Sequence, residues 1–122
     1  MLNYKVKIGL VPLRRNTTDR PKGTFLTWHS AEERGSRFVK YIEENFTNAN
    51  VSFVNSKGLG HKDLIFDDDS AQAIIERFKD ADVDAVFIIN CNFGNEEAAA
   101  DIAKALGKPV LLWAPLDDEY YV

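Results

Sequence analysis

The chain of 122 residues holds one cysteine, one methionine and two histidines. A single cysteine closes no internal disulfide, so a reducing, cytoplasmic setting is the simplest expectation. Two scattered histidines do not make a metal site. His29 reads as a helix-start residue, and His61, in a Gly-His-Lys-Asp turn, as a solvated one. No apolar run approaches the roughly 20 residues that a membrane-spanning helix needs. The stretch Met1 to Leu10 lacks the long apolar core and small-residue cleavage site of a secretory signal. Excess positive charge is missing too. Against 19 acidic residues stand 15 lysines and arginines, a net charge of −4 that gives no electrostatic case for nucleic acid. Nor is there a glycine cluster behind the first apolar run. Gly9 lies inside that run, and Gly58-Leu59-Gly60 lacks a third glycine, so the dinucleotide fingerprint is absent.

What remains is an ordinary globular composition, 45% hydrophobic, in a length that suits one domain with a real core. Lys5 to Leu13 reads as a strand ended by Pro12, and the long basic loop to His29 follows it. Ser30, with Glu33 three residues on, predicts a capped helix to about Phe46, with Phe38, Ile42 and Phe46 as its buried stripe, widened by Val39 and Tyr41. Val51 to Val54 is a second, short strand. Asp67, Asp68, Asp69 and Ser70 precede an amphipathic helix through Ile74, Ile75, Phe78 and Ala81. Ala85 to Asn90 is almost wholly apolar and β-branched or aromatic, as in a strand buried on both faces. Asn95 caps the next helix, whose first turn holds Glu96 and Glu97, and Gly107 ends it. Val110 to Ala114 is a fourth strand with no helix after it to cover it, as though the chain were a piece of a longer one.

The alternation βαβαβαβ predicts a three-layer α/β/α domain around a parallel four-stranded sheet, flavodoxin-like or Rossmann-like, with strand order 2-1-3-4 and helices near 30–46, 69–81 and 95–106. That order sets a switch point between the first and third strands, where α/β sheets bind ligands. The basic loop after Leu13 and the polar loop Asn90-Cys91-Asn92-Phe93-Gly94-Asn95 then face each other. The candidate ligand-binding residues are therefore Arg14, Arg15, Asn90, Cys91, Asn92, Phe93 and Asn95. Arginine forks grip hydroxyls and anions, amides bond hydroxyls, and an aromatic face stacks on a sugar ring. Some of these residues have plainer alternatives. The arginines also suit a solvated basic loop or an intersubunit salt bridge, Trp28 suits plain packing, and Cys91, with no histidine near it, suits a small buried thiol. The run Asp67 to Asp69 is explained by capping without a cation. Adjacent residues at a strand end point to opposite faces, so only one of Arg14 and Arg15 is expected at the site.

Three stretches carry a resemblance to a known family: Lys7 to Arg15 (KIGLVPLRR), Ala85 to Ala99 (AVFIINCNFGNEEAA) and Lys108 to Pro115 (KPVLLWAP). In them the chain resembles the N-terminal domain of the L-fucose/L-arabinose isomerase family. The resemblance implies aldose–ketose isomerisation by a longer protein, through an ene-diol, with a divalent metal, usually Mn2+, that stabilises the developing oxyanion. It implies that the metal ligands and catalytic carboxylates lie in later domains, so no catalytic residue, metal ligand or cofactor is expected in this chain, which alone is expected to be inactive. By the same resemblance the first domain covers a neighbouring subunit's site in a homo-oligomer and shares the sugar substrate with the downstream domains. Arg14 or Arg15 and the loop bearing Phe93 match the sugar-contacting positions. Fucose isomerases proper carry a tryptophan in that loop. Two other readings stand beside this one: a sugar- or effector-binding domain without catalysis, and a non-enzymatic assembly module.

Overall fold

The computed structural model describes residues 4–16, 28–92 and 94–115; the side chains of Trp28 and His29 lie outside that description, as does Phe93. The elements are β1 (Val6–Leu13), α1 (Trp28–Phe46), β2 (Val51–Val54), α2 (Asp68–Ala81), β3 (Ala85–Asn90), α3 (Glu96–Leu106) and β4 (Val110–Trp113). The four strands form one sheet in the order β2-β1-β3-β4, every neighbouring pair parallel, as the alternation of patterns predicts.

Strand alternation sorts the side chains between two helical layers. Val11 and Leu13 of β1, with Val86 and Ile88 of β3, point to the face covered by Ile74, Ile75 and Phe78 of α2 and Ala98 and Ile102 of α3. Leu10 and Ile89 point the other way, to Ala31 and Ile42 of α1, where Phe38, Phe53, Phe87 and Trp113 close the cluster. The Trp113 ring stacks on Phe87 with centroids 5.9 Å apart and tilts against Phe38 at 5.0 Å. Gly9 is needed where Phe78 meets the sheet: a Cβ there would lie 2.5 Å from the Phe78 ring. Phe78 thus packs directly on the β1 backbone.

The caps of α2 and α3 follow the sequence signals. Asp67 Oδ1 accepts from Ser70 N at 2.8 Å and Ser70 Oγ accepts from Asp67 N at 3.1 Å, a reciprocal capping box. Asn95 Oδ1 accepts from Ala98 N at 3.1 Å, and Gly107 closes α3 in the left-handed conformation at φ 60°. Helix α1 differs from expectation. It starts at Trp28, so Ser30 already lies inside it and does not cap it. A cap needs extended backbone, and a helical backbone at residues 28 and 29 removes it. The buried stripe is also displaced toward the N-terminus. Ala31, Arg34, Gly35 and Ile42 are buried, while Tyr41 and Phe46 are 57% and 53% exposed, because the C-terminal turn of α1 stands over a groove rather than a second helix. On β4, Leu111 and Leu112 are 60% and 58% exposed, as expected for a strand that no helix covers among the described residues.

Candidate functional site

The register of β1 against β3 sets the site. Leu13 pairs with Asn90, so the two strands finish level, and Cys91 N donates to Leu13 O at 2.9 Å just beyond. On its other side β1 is held by Ile65: Ile65 N donates to Pro12 O and Arg14 N donates to Ile65 O, each at 2.9 Å. The loops after β1 and β3 therefore leave the sheet side by side at its carboxyl edge, with the starts of α2 and α3 beside them. Between them lies a cleft of about 500 Å³ lined by Arg15, Asn16, Gly94, Asn95, Glu96 and Glu97. An adjoining hollow of about 360 Å³ shares Asn16, Asn95 and Glu97 and adds Asp67, Asp68 and Asp69.

The structure sorts the residues that the sequence singled out. Arg15 is exposed and lines the cleft; Arg14 is fully buried, and its Nη1 donates to Arg15 O at 2.7 Å. Asn92 straps the two loops together, its Oδ1 accepting from Arg15 N at 3.3 Å. Its Nδ2 is buried and has no hydrogen-bond partner among the described residues. Asn90 ends β3 half-buried beneath Gly94: a Cβ on Gly94, at φ 69°, would lie 2.5 Å from Asn90 Oδ1. Only glycine fits that turn, because both the backbone conformation and the close approach exclude a side chain. Asn95 lines the cleft, yet both ends of its amide are engaged. Oδ1 caps α3, and Nδ2 donates to Phe66 O at 2.8 Å.

Cys91 turns away from the cleft into the cluster under α1, fully buried, with its thiol 3.6 Å from Ile89 O. Burial pushes the thiol up to about 12, against smaller opposite effects of the hydrogen bond with Leu13 and the charge of Arg34. A thiol so placed stays protonated and unreactive at neutral pH. Gly35 of α1 packs on it: a Cβ there would lie 3.2 Å from Cys91 Sγ.

The cleft also holds acidic residues that sequence reasoning assigned to two helix starts and not to the ligand-binding set. Glu96, Glu97 and the run Asp67 to Asp69 form its acidic wall. Their signal was their place at two helix starts that the strand order brings to one edge. Carboxylate oxygens of Asp68, Glu97 and Asp101 approach within 4.8 Å of one another, a grouping that spans two helices and is invisible in one dimension. It does not fit the divalent centre that the resemblance implies. Among the described residues no hydrogen bond orients any of the three side chains, and no buried donor completes a coordination shell.

Fold and cleft together define a doubly wound α/β domain with a polar crevice at its switch point. The chain belongs to the family described as fucose/sulfoquinovose isomerase, N-terminal domain, whose model matches residues 20–121. No curated protein and no solved structure matches it. No helix among the described residues is long and apolar enough to cross a membrane.

Proposed function

We propose that this chain serves as the N-terminal domain of an aldose–ketose isomerase of the L-fucose/L-arabinose type, and that it helps to cover the substrate site of a neighbouring subunit in a homo-oligomer. The observation that carries the reading is the family match over residues 20–121, in a chain whose switch point holds a polar crevice. Arg15 is the donor best placed to meet a sugar hydroxyl, and Asn92, which holds the backbone of Arg15, positions it. The Nδ2 of Asn92, buried and unpaired among the described residues, gives the loop a further donor. Arg14 and Cys91 support the loops from within rather than touch the sugar. Phe93, whose side chain lies outside the described residues, takes the part of the stacking aromatic.

The metal, Mn2+ by the resemblance, belongs to later domains, where it would polarise the sugar oxygens. The residues of this chain bind, orient and exclude water, and they move no proton. A buried free thiol suits a reducing cytoplasm.

The test uses the full-length isomerase. Arg15→Ala is expected to lower kcat/KM by about ten- to a hundred-fold, the worth of a charge-assisted hydrogen bond. Phe93→Ala should also impair turnover, with metal content and melting temperature nearly unchanged in both variants. The 122-residue chain alone should form no ketose, with or without Mn2+. Negligible effects of both substitutions on turnover would instead favour an assembly module.

A further inference from the structure

The cleft carries a charge pattern that its position does not require. Among the described residues, its walls and those of the adjoining hollow hold Arg15 as the one cation against Glu96, Glu97, Asp67, Asp68 and Asp69. The starts of α2 and α3 also face this edge, and a helix start normally favours an anion. Here the balance goes the other way. Each helix end supplies roughly half a positive charge, about one in all, against five carboxylates and one guanidinium. Two of the amides that an anion would use are already taken, Ser70 N by Asp67 Oδ1 at 2.8 Å and Ala98 N by Asn95 Oδ1 at 3.1 Å. The basic segment 17–27 cannot reverse the sign wherever it lies, because Asp19, Arg20 and Lys22 leave it a single net positive charge.

The family description spans fucose, an uncharged sugar, and sulfoquinovose, a sulfonated one. We propose that the acidic mouth is a charge filter: it admits an uncharged aldose and turns away an aldose that carries a sulfonate or a phosphate. The proposal rests on the isomerase reading above and names the residues that set its substrate class. Glu96 and Glu97, which line the main cleft, act most directly, and the aspartates of the α2 start reinforce them. At a separation of roughly 7 Å through water in an open cleft, each carboxylate lowers the local concentration of a monoanion by roughly two- to four-fold at low salt. Several together make a strong preference that high salt erases.

The test measures kcat/KM of the full-length isomerase for a stereochemically matched pair, D-quinovose and sulfoquinovose, with D-glucose 6-phosphate as the phosphate arm. At low ionic strength the neutral sugar should be preferred, and in roughly 1 M salt, where the Debye length falls to about 3 Å, the preference should shrink. Neutralising two carboxylates with Glu96→Gln and Glu97→Gln should raise the anionic-to-neutral ratio by about four- to sixteen-fold. The salt series needs no variant, so a folding defect in the double mutant leaves the result intact. A wild-type preference for the sulfonated or phosphorylated sugar, or a ratio indifferent to both salt and substitution, overturns the filter while leaving the isomerase reading standing. Turnover of none of these sugars, nor of L-fucose or L-arabinose, counts against the isomerase reading. The filter is then decided on the 122-residue chain by amide NMR: stronger shifts at Gly94 to Glu97 with the anionic sugars than with the neutral one overturn it, and the reverse supports it.

Discussion

On one face of the sheet, α2 and α3 lay Ile74, Phe78, Ala98 and Ile102 on Val11, Leu13, Val86 and Ile88, every one of them buried. On the other, α1 is the one helix among the described residues over Leu10, Ile89 and Cys91, with Leu64 beside it, and the same side of the molecule shows Tyr41, Phe46 and Leu111 to solvent. An apolar groove of about 550 Å³ runs there between Ile42 and Phe46 of α1 and Phe87 and Leu111 of the sheet. Across β1 and β3 the first face is a finished core, with only Val110 and Leu112 of β4 exposed at its margin among the described residues. The second holds apolar surface that the described chain leaves uncovered. The two should therefore respond very differently to the loss of a large side chain. Phe78→Ala leaves a void against the β1 backbone and is expected to cost about 3–5 kcal/mol. Leu111→Ala removes a side chain that is 60% exposed and should cost about 0.5 kcal/mol or less. Urea denaturation of the two variants checks the contrast, and equal losses would break it.

The finished face was also the legible one. In α2 and α3 the cap residue and the apolar spacing agree, and Gly107 ends α3, so Asn95, Gly107 and the Ile74–Phe78 stripe could be placed from sequence alone. That the strands are parallel followed from the alternation of patterns, because parallel strands need helical crossovers; their order 2-1-3-4, which the structure has, rested on likeness to flavodoxin-like sheets. Helix α1 was less legible. Ser30 and Glu33 imitate a capping box inside a helix that has already begun, and Phe46 keeps the buried period where no second layer meets it. In the cleft, one dimension gave the loops but not the facing of side chains. Arg14 and Arg15 are alike in sequence, and only the end of β1 shows which is buried. In the acidic wall Asp67 caps α2 and the other four acids sit in first turns, as read from sequence, but acids from two helix starts at one sheet edge also make a field.

A smaller effect sharpens the comparison at the cleft, where the two layers meet. Gly94→Ala must hold φ 69° and displace Asn90 Oδ1 from 2.5 Å. It is expected to cost about 1–3 kcal/mol and to shift the amide signals of Asn90, Asn92 and Arg15. A variant with wild-type stability would show that the loop has a second conformation available.

Smaller again is the loss of the α3 cap. Asn95→Ala removes the bond to Ala98 N and the one to Phe66 O, at a cost of about 1–2 kcal/mol. Asn95→Asp keeps the first and loses the second, so its melting temperature should fall between those of Ala and wild type. If Asp equals Ala, the bond across to Phe66 rather than the cap is what matters.

An effect that vanishes at neutral pH and grows only in alkali probes the less complete face from inside. Cys91 is fully buried under α1, and its thiol titrates near 12 in the folded protein against a reference of 9.0. Burial is the main cause, since it penalises the thiolate. The unfolded chain gives up this proton first, so the thiol's contribution to stability is fully present below pH 9.0 and is lost as pH rises toward 12. The loss grows with each pH unit above 9.0 until the folded-state thiol itself titrates. Lysines and tyrosines titrate in the same range, so the measurement is the difference between wild type and Cys91→Ala in denaturant midpoints taken across the alkaline range. The two curves should run parallel below about pH 8 and converge or cross above it. Native protein should also resist thiol reagents at pH 8 and react only on unfolding. Rapid labelling without unfolding would mean that α1 lifts from the sheet on its own, which would make the one-helix face not merely uncovered at its margin but open at its centre.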